Sequence, residues 1–142
     1  MYRGRKIALN ASPDALVNNA QMLSNVAPEY APTGRTLLSA TVLGAQELND
    51  DELGRAVLAD LRRMFAGDPL ALAALEEYQL LRVYRIPYAQ FPQTPGIHPL
   101  LPDNASGRAG LWFAGEFTEA SSLNAAMISG EKCAAAIVGG KP

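Results

Sequence analysis

Apolar side chains at Leu53, Val57, Leu58, Leu61, Met64 and Phe65 recur at spacings of three and four, which lines them along one side of a helix. Asn49 or Asp50 supplies the start, the acidic first turn complements the helix dipole, and Gly67 supplies the stop, so a helix is predicted through Phe65. Upstream, residues 5–9 and 21–26 read as short strands, separated by a polar turn over 12–19 that contains Pro13. Residues 35–43, rich in Thr, Val and Leu and closed by Gly44, read as a buried strand. Downstream, Asp68-Pro69 opens a short helical segment through Leu75. Residues 78–86 then alternate, with Tyr78, Leu80, Tyr84 and Ile86 on one face of a long strand and Leu81 and Val83 on the other.

From Pro87 to Arg108 the chain carries five prolines and Gly96, with little periodicity. A connection of that length signals function or a crossing between domains. A short apolar run, 111–114, then ends at Gly115-Glu116, a polar turn follows, and small residues recur at helical spacing over 122–138. The expected arrangement is a strand feeding a helix, packed through Leu123, Ala126, Met127, Gly130 and Cys133.

Composition narrows the function classes. A chain of 142 residues with 49% hydrophobic and 18% charged positions can bury a core and is not that of a disordered segment. The net charge of −2, with only Arg3, Arg5 and Lys6 near the start, offers no footprint for nucleic acid. No apolar run approaches the roughly 20 residues that span a bilayer, so a cytoplasmic location is expected. Cys133 is the single cysteine, which excludes an internal disulfide, and its place among small helical residues reads as a buried thiol. His98 is the single histidine and has no cysteine beside it in its loop with which to share a metal. Asp50-Asp51-Glu52 and Glu76-Glu77 read as solvated structural charges, the second pair at the start of a strand, and Trp112, Phe113 and Tyr88 as core aromatics rather than catalytic groups. Asn10-Ala-Ser12 and Asn104-Ala-Ser106 satisfy the glycosylation spacing only formally.

The ordered run Gly110-Leu-Trp-Phe-Ala-Gly115-Glu116-Phe-Thr-Glu-Ala-Ser-Ser122-Leu-Asn-Ala-Ala126-Met-Ile-Ser-Gly130 resembles the C-terminal signature of the flavin-dependent amine oxidase and phytoene desaturase superfamily. The upstream block Arg85-Ile-Pro87-Tyr88-Ala89-Gln-Phe91-Pro-Gln-Thr-Pro95-Gly96 is similar to the family's passage toward that signature. A weaker likeness lies in Ser24-Asn-Val-Ala-Pro28-Glu-Tyr30-Ala-Pro32-Thr-Gly34. The resemblance implies that Gly115 and Glu116 meet FAD, Glu116 through a ribitol hydroxyl. It also implies that the helix start, Ser122, Leu123, Asn124, Ala125 and Ala126, presents backbone N–H groups to the flavin pyrimidine, where reduced flavin gathers negative charge.

The same resemblance implies an α+β fold: an antiparallel or mixed substrate-domain sheet with one packed helix over 1–86, a Pro-rich crossing segment over 87–109, and the last strand and helix of an incomplete FAD-binding domain over 110–142. The family's glycine-rich G-x-G-x-x-G turn, which cradles the pyrophosphate, has no counterpart among these glycines. The chain therefore reads as the C-terminal portion of a longer FAD-dependent oxidoreductase, whose missing N-terminal FAD-binding region is its implied partner. That parent passes hydride from a substrate C–H bond to flavin, while this portion alone is expected to be inactive and to lack FAD. Amine oxidases of the family place an aromatic residue where Ser122 stands, which points instead to the phytoene-desaturase-like branch and a small apolar substrate. The competing expectation is a noncatalytic module that self-associates as a homo-oligomer through surfaces left uncovered.

Overall fold

Three short strands form an antiparallel sheet in the order β1 (Ala8–Leu9), β2 (Val17–Met22), β3 (Leu38–Val42). The computed structural model describes residues 4–139, so Arg3 and the outer ends of the first and last expected segments lie outside the described residues. The chain divides into two compact units, Met1–Arg85 and Ile86–Pro142, and the sheet belongs to the first.

The central strand begins earlier than expected. Residues 17–19, assigned to a polar turn, are paired, and residues 23–26 form a single helical turn, α1 (Leu23–Val26), in place of a strand. Asparagines at 18 and 19 weaken the strand signal, yet the ladder with both neighbours overrides that preference. A bulge between Val17 and Asn19 matters here, because Ala20 and Met22 share a face and Val17 is an odd number of residues away. The extra residue rephases β2, and Val17, Ala20 and Met22 are all buried.

Helix α2 (Asp50–Met64) forms as its spacing predicts. Asn49 Oδ1 accepts the Glu52 N–H at 2.9 Å while Glu52 Oε2 accepts the Asn49 N–H at 3.0 Å, a reciprocal cap that satisfies two otherwise orphaned donors. Asp68 caps α3 (Pro69–Glu76) by accepting the Leu70 and Ala71 N–H groups, with Pro69 in the first turn, where its missing N–H costs nothing. The first unit thus packs two of these helices rather than one, since Leu75 of α3 joins Leu61, Val17 and Ala20 in the buried cluster. Leu38, Ala40, Val57, Leu58, Met64, Phe65 and Tyr78 close around it. Glu76 ends α3 rather than opening a strand, and pairs with Arg62 at 3.0 Å on the surface.

Asp60 is the unexpected member of this interior. Its side chain is only 2% exposed, accepts the Val17 N–H at 2.7 Å and holds Arg63 at 2.6 Å, so one carboxylate joins the helix to the bulged strand. It also lines a cleft with Ser12, Pro13, Asp14 and Arg63, but both of its oxygens already accept hydrogen bonds. Burial pushes its pKa up, and the bonds from Val17 and Arg63 outweigh that and hold it below the ordinary carboxylate range. A carboxyl depressed on folding stabilises the fold fully above its unfolded value, about 4, and loses that contribution as pH falls through the folded value. Urea midpoints measured from pH 7 to pH 2 should fall more steeply below pH 4 in the wild type than in Asp60→Asn. Equal slopes would remove this role.

Residues 78–86 do not form the expected strand. They run without a partner ladder, and Leu81, Tyr84 and Ile86 are exposed. Alternation requires a hydrogen-bonded neighbour before it becomes a strand, and none lies along this stretch. Other contacts hold the segment against α2. Leu80 lies over Gly54 so closely that a Cβ there would sit 2.9 Å from Leu80 Cδ2. Arg85 donates to Asp50 Oδ1 at 2.9 Å and to the Gln46 and Leu48 carbonyls at 3.0 and 2.7 Å.

In the second unit the expected strand over 111–114 is reduced to one bridge, Trp112 to Ala105, because no second strand is present there to extend it. Gly107 and Gly110, at φ of 75° and 78°, allow the turn that brings Trp112 back. Helix α4 (Leu123–Val138) forms with Ser122 as its cap, but its buried row is Ala125, Ser129 and Cys133. Of the expected row, Cys133 is buried and Ala126 and Gly130 are partly buried, while Leu123 and Met127 are corrected, being 80% and 63% exposed. Together the described residues form an α+β fold with a three-stranded antiparallel sheet and four helices.

Candidate functional site

Gly115 opens a single 3-10 turn, Glu116–Thr118, between the Trp112 bridge and α4. A Cβ on Gly115 would lie 2.5 Å from Phe117 Cε1, so glycine is what lets the Phe117 ring fold back over the turn. That ring meets Phe113 edge-on, with centroids 6.2 Å apart.

The turn is fastened to the helix by a buried polar cluster. Ser129 Oγ lies 3.0 Å from both Asn104 Nδ2 and the Gly115 N–H, and 2.6 Å from Thr118 Oγ1. A serine hydroxyl has two acceptor positions and one proton. Both acceptor positions are taken by Asn104 and Gly115, so the Ser129 proton goes to Thr118, whose own proton goes to the Gly115 carbonyl at 3.1 Å. Asn104 Nδ2 also donates to the Phe113 carbonyl at 2.8 Å and reaches the Ser129 carbonyl at 3.2 Å. Asn104 is visible in the sequence only as a formal glycosylation sequon, and Ser129 only as the Ser of the Ser129-Gly130 pair in the ordered run, with no role attached to it.

Of the residues expected to meet the cofactor, Glu116 is half-buried at the start of the turn. Its Oε2 lies 3.5 Å from the Ser121 hydroxyl, a long contact that leaves most of the carboxylate's acceptor capacity unused. Ser121, itself buried, donates its N–H to Gln93 Oε1 at 3.1 Å, which joins the Pro-rich segment to the residue before the helix cap. His98 Nδ1 lies 3.0 Å from the Glu119 carbonyl, and Lys132 pairs with the Glu119 carboxylate at 2.6 Å. The 3.0 Å contact requires the His98 Nδ1 to carry its proton. Among the described residues no three acidic, His or Cys side chains are placed to hold a metal, and no helix is long and apolar enough to cross a membrane.

The helix start divides its N–H groups. Ser122 Oγ accepts from Ala125 at 3.1 Å and the Ser122 carbonyl accepts from Ala126 at 3.0 Å, so those two donors are committed within the chain. The N–H groups of Leu123 and Asn124 meet no acceptor among the described residues, and both residues are exposed. These are the helix donors open to a ligand, at the positive end of a 16-residue helix. The side-chain oxygen of Ser122 is occupied as a cap, and the Ala125 side chain is buried.

A sequence model of flavin containing amine oxidoreductases matches residues 5–138. Among curated proteins, the 15-cis-phytoene desaturase, chloroplastic/chromoplastic, of Glycine max is 25% identical over 122 residues, which is 82% of this chain and 21% of that protein. The chain thus spans about a fifth of the length of this relative. No solved structure matches. Because the family match runs through the sheet, the helices, the Glu116 turn and α4 alike, the chain belongs to the flavin containing amine oxidoreductase family.

Proposed function

We propose that the chain forms the ribitol- and pyrimidine-contacting part of an FAD-dependent oxidoreductase, as its C-terminal portion over 110–142, with 1–86 contributing to the substrate side and 87–109 connecting them. The observation that carries this reading is the pairing of an under-used, half-buried Glu116 carboxylate with two uncommitted N–H groups at Leu123 and Asn124. Both halves fit the group chemically. A ribitol offers hydroxyl donors to a carboxylate, and a flavin pyrimidine offers acceptor atoms to helix N–H groups. Of the seven expected contact residues, Ala125 and Ala126 serve the site through the shape of the helix turn rather than through their N–H groups.

When bound, flavin would supply the redox chemistry, as acceptor of a hydride from a substrate C–H bond. The chain's own groups bind and orient. Glu116 would accept a ribitol hydroxyl bond, the Leu123 and Asn124 N–H groups would favour negative charge at the pyrimidine end, and Gly115 leaves room for the Phe117 ring over the turn. The glycine-rich turn for the pyrophosphate is assigned to a further FAD-binding region, so isolated residues 1–142 should hold FAD only weakly. An apolar substrate, as in phytoene-desaturase-like enzymes, is favoured because Ser122 spends its hydroxyl on capping α4 and offers no aromatic wall for an amine.

Glu116→Gln in the FAD-loaded enzyme should weaken cofactor retention by about one to two orders of magnitude, because a charge-assisted hydrogen bond of about 1.5 to 3 kcal/mol is reduced to a neutral one. Turnover per bound flavin should change little. Full retention of FAD with loss of flavin reduction in stopped flow would make Glu116 a proton-transfer group and sink the assignment.

A second reading is favoured by one feature, the exposed apolar residues Leu123, Met127, Ile128, Ile137 and Val138 on α4. In that reading the chain is a noncatalytic module that self-associates through this surface. A colourless, oligomeric preparation that takes up no added FAD would support it over the enzyme portion.

A further inference from the structure

We propose that Ser129 is a positioning residue for the flavin site: its hydroxyl fixes the 3-10 turn that carries Glu116 onto the second turn of α4. The inference rests on the FAD reading above and adds to it a residue that need not touch the cofactor. Ser129 is fully buried and receives the N–H of Gly115, the residue immediately before Glu116. It also donates to Thr118, the last residue of the same turn, so both ends of Glu116–Thr118 are tied to one atom. Thr118 in turn donates to the Gly115 carbonyl, which closes a ring of hydrogen bonds around the Glu116 backbone. Asn104 fills the remaining acceptor position of Ser129 and fixes the orientation of the hydroxyl.

Apart from the hydroxyl of Thr118 itself, no other side chain ties both ends of this turn among the described residues, and the Glu116 carboxylate has only the 3.5 Å contact with Ser121. Its direction therefore depends on the backbone that Ser129 holds. A carboxylate must lie within hydrogen-bond reach of its hydroxyl, and a displacement of about 1 Å is enough to lose much of a directional contact. Thr118 reaches the Gly115 carbonyl through its N–H at 3.2 Å as well as its hydroxyl, so valine, of similar shape, keeps the backbone bond and the bulk and removes only the hydroxyl bonds.

The test is an FAD titration of the 142-residue chain followed by backbone amide NMR shifts, which register affinities as weak as about millimolar. Wild type, Glu116→Gln, Ser129→Ala, Thr118→Val and Thr118→Ser are compared well below their unfolding midpoints. Wild type and Thr118→Ser should bind alike, while Ser129→Ala and Thr118→Val bind about tenfold more weakly, as Glu116→Gln does. A purely structural role would lower the unfolding midpoint and leave the affinity of the folded chain unchanged. If Glu116→Gln weakens binding and Ser129→Ala and Thr118→Val do not, the positioning role is overturned and the FAD reading stands. If wild type shows no FAD-dependent shift, or Glu116→Gln binds as wild type does, the FAD reading fails and this proposal fails with it.

Discussion

Leu61→Ala is expected to destabilise the first unit by about 3 to 5 kcal/mol, the upper part of the range for truncating a buried leucine. Leu61 is 1% exposed and lies among Val17, Ala20 and Leu75, which come from a strand and a second helix. The cost of such a truncation depends on how far the surroundings collapse into the space left behind. Collapse is restricted here on two sides. β2 is held between two antiparallel partners, and α2 is tied to β2 through the 2.7 Å bond from the Val17 N–H to Asp60. Domains of ordinary stability unfold at a cost of about 5 to 15 kcal/mol, so this change removes a large share. With a urea slope of about 1 to 3 kcal/mol per molar, the midpoint should move by more than 1 M. A loss under about 1 kcal/mol would mean that the core repacks freely around position 61.

Asn104→Ala should cost the second unit about 1 to 3 kcal/mol. The side chain is 7% exposed, and its Nδ2 serves the Phe113 carbonyl, the Ser129 carbonyl and the Ser129 hydroxyl. Alanine takes the donor from the Phe113 carbonyl and leaves the Ser129 hydroxyl with the Gly115 N–H alone, at about 1 to 3 kcal/mol for a group that water cannot reach. Asn104→Asp should be at least as harmful despite its matching shape, because a carboxylate would point acceptor atoms at acceptors. Trp112 is the chain's single tryptophan and sits in the bridge beside Asn104, so its fluorescence reports this unit directly. Unchanged Trp112 unfolding curves for Asn104→Ala would rule out the buried cluster as a source of stability.

The elements that were legible in sequence are those whose causes are local. Helix α2 was readable from its apolar spacing and its Asn49 to Glu52 cap, and α3 from Asp68-Pro69, because a helix satisfies most of its hydrogen bonds within itself. The segment 78–86 shows the limit of alternation, which specifies faces and not a neighbour. β2 was hidden by two asparagines and by a bulge that breaks its period. The burial of Asp60 was hidden for a different reason, since its decisive partner, Val17, is 43 positions away. At the candidate site, Gly115, Glu116 and the Ser122 cap were readable as a motif. The buried face of α4 was not, because small residues surround the helix and Ser129, a polar residue, selects the face by its hydrogen bonds.

The place of Asn104 also decides what its tripeptide can accept. Asn104-Ala-Ser106 satisfies the spacing at which an N-linked sugar is attached, and the atom that would carry the sugar is the same Nδ2 that bridges Phe113 and Ser129 in the interior. A glycan there is incompatible with the closed cluster, since the linkage replaces an amide hydrogen and needs solvent for its first sugar ring. In the folded chain this sequon is sterically silent, and a sugar attached to the nascent chain would hold the Glu116 turn away from α4.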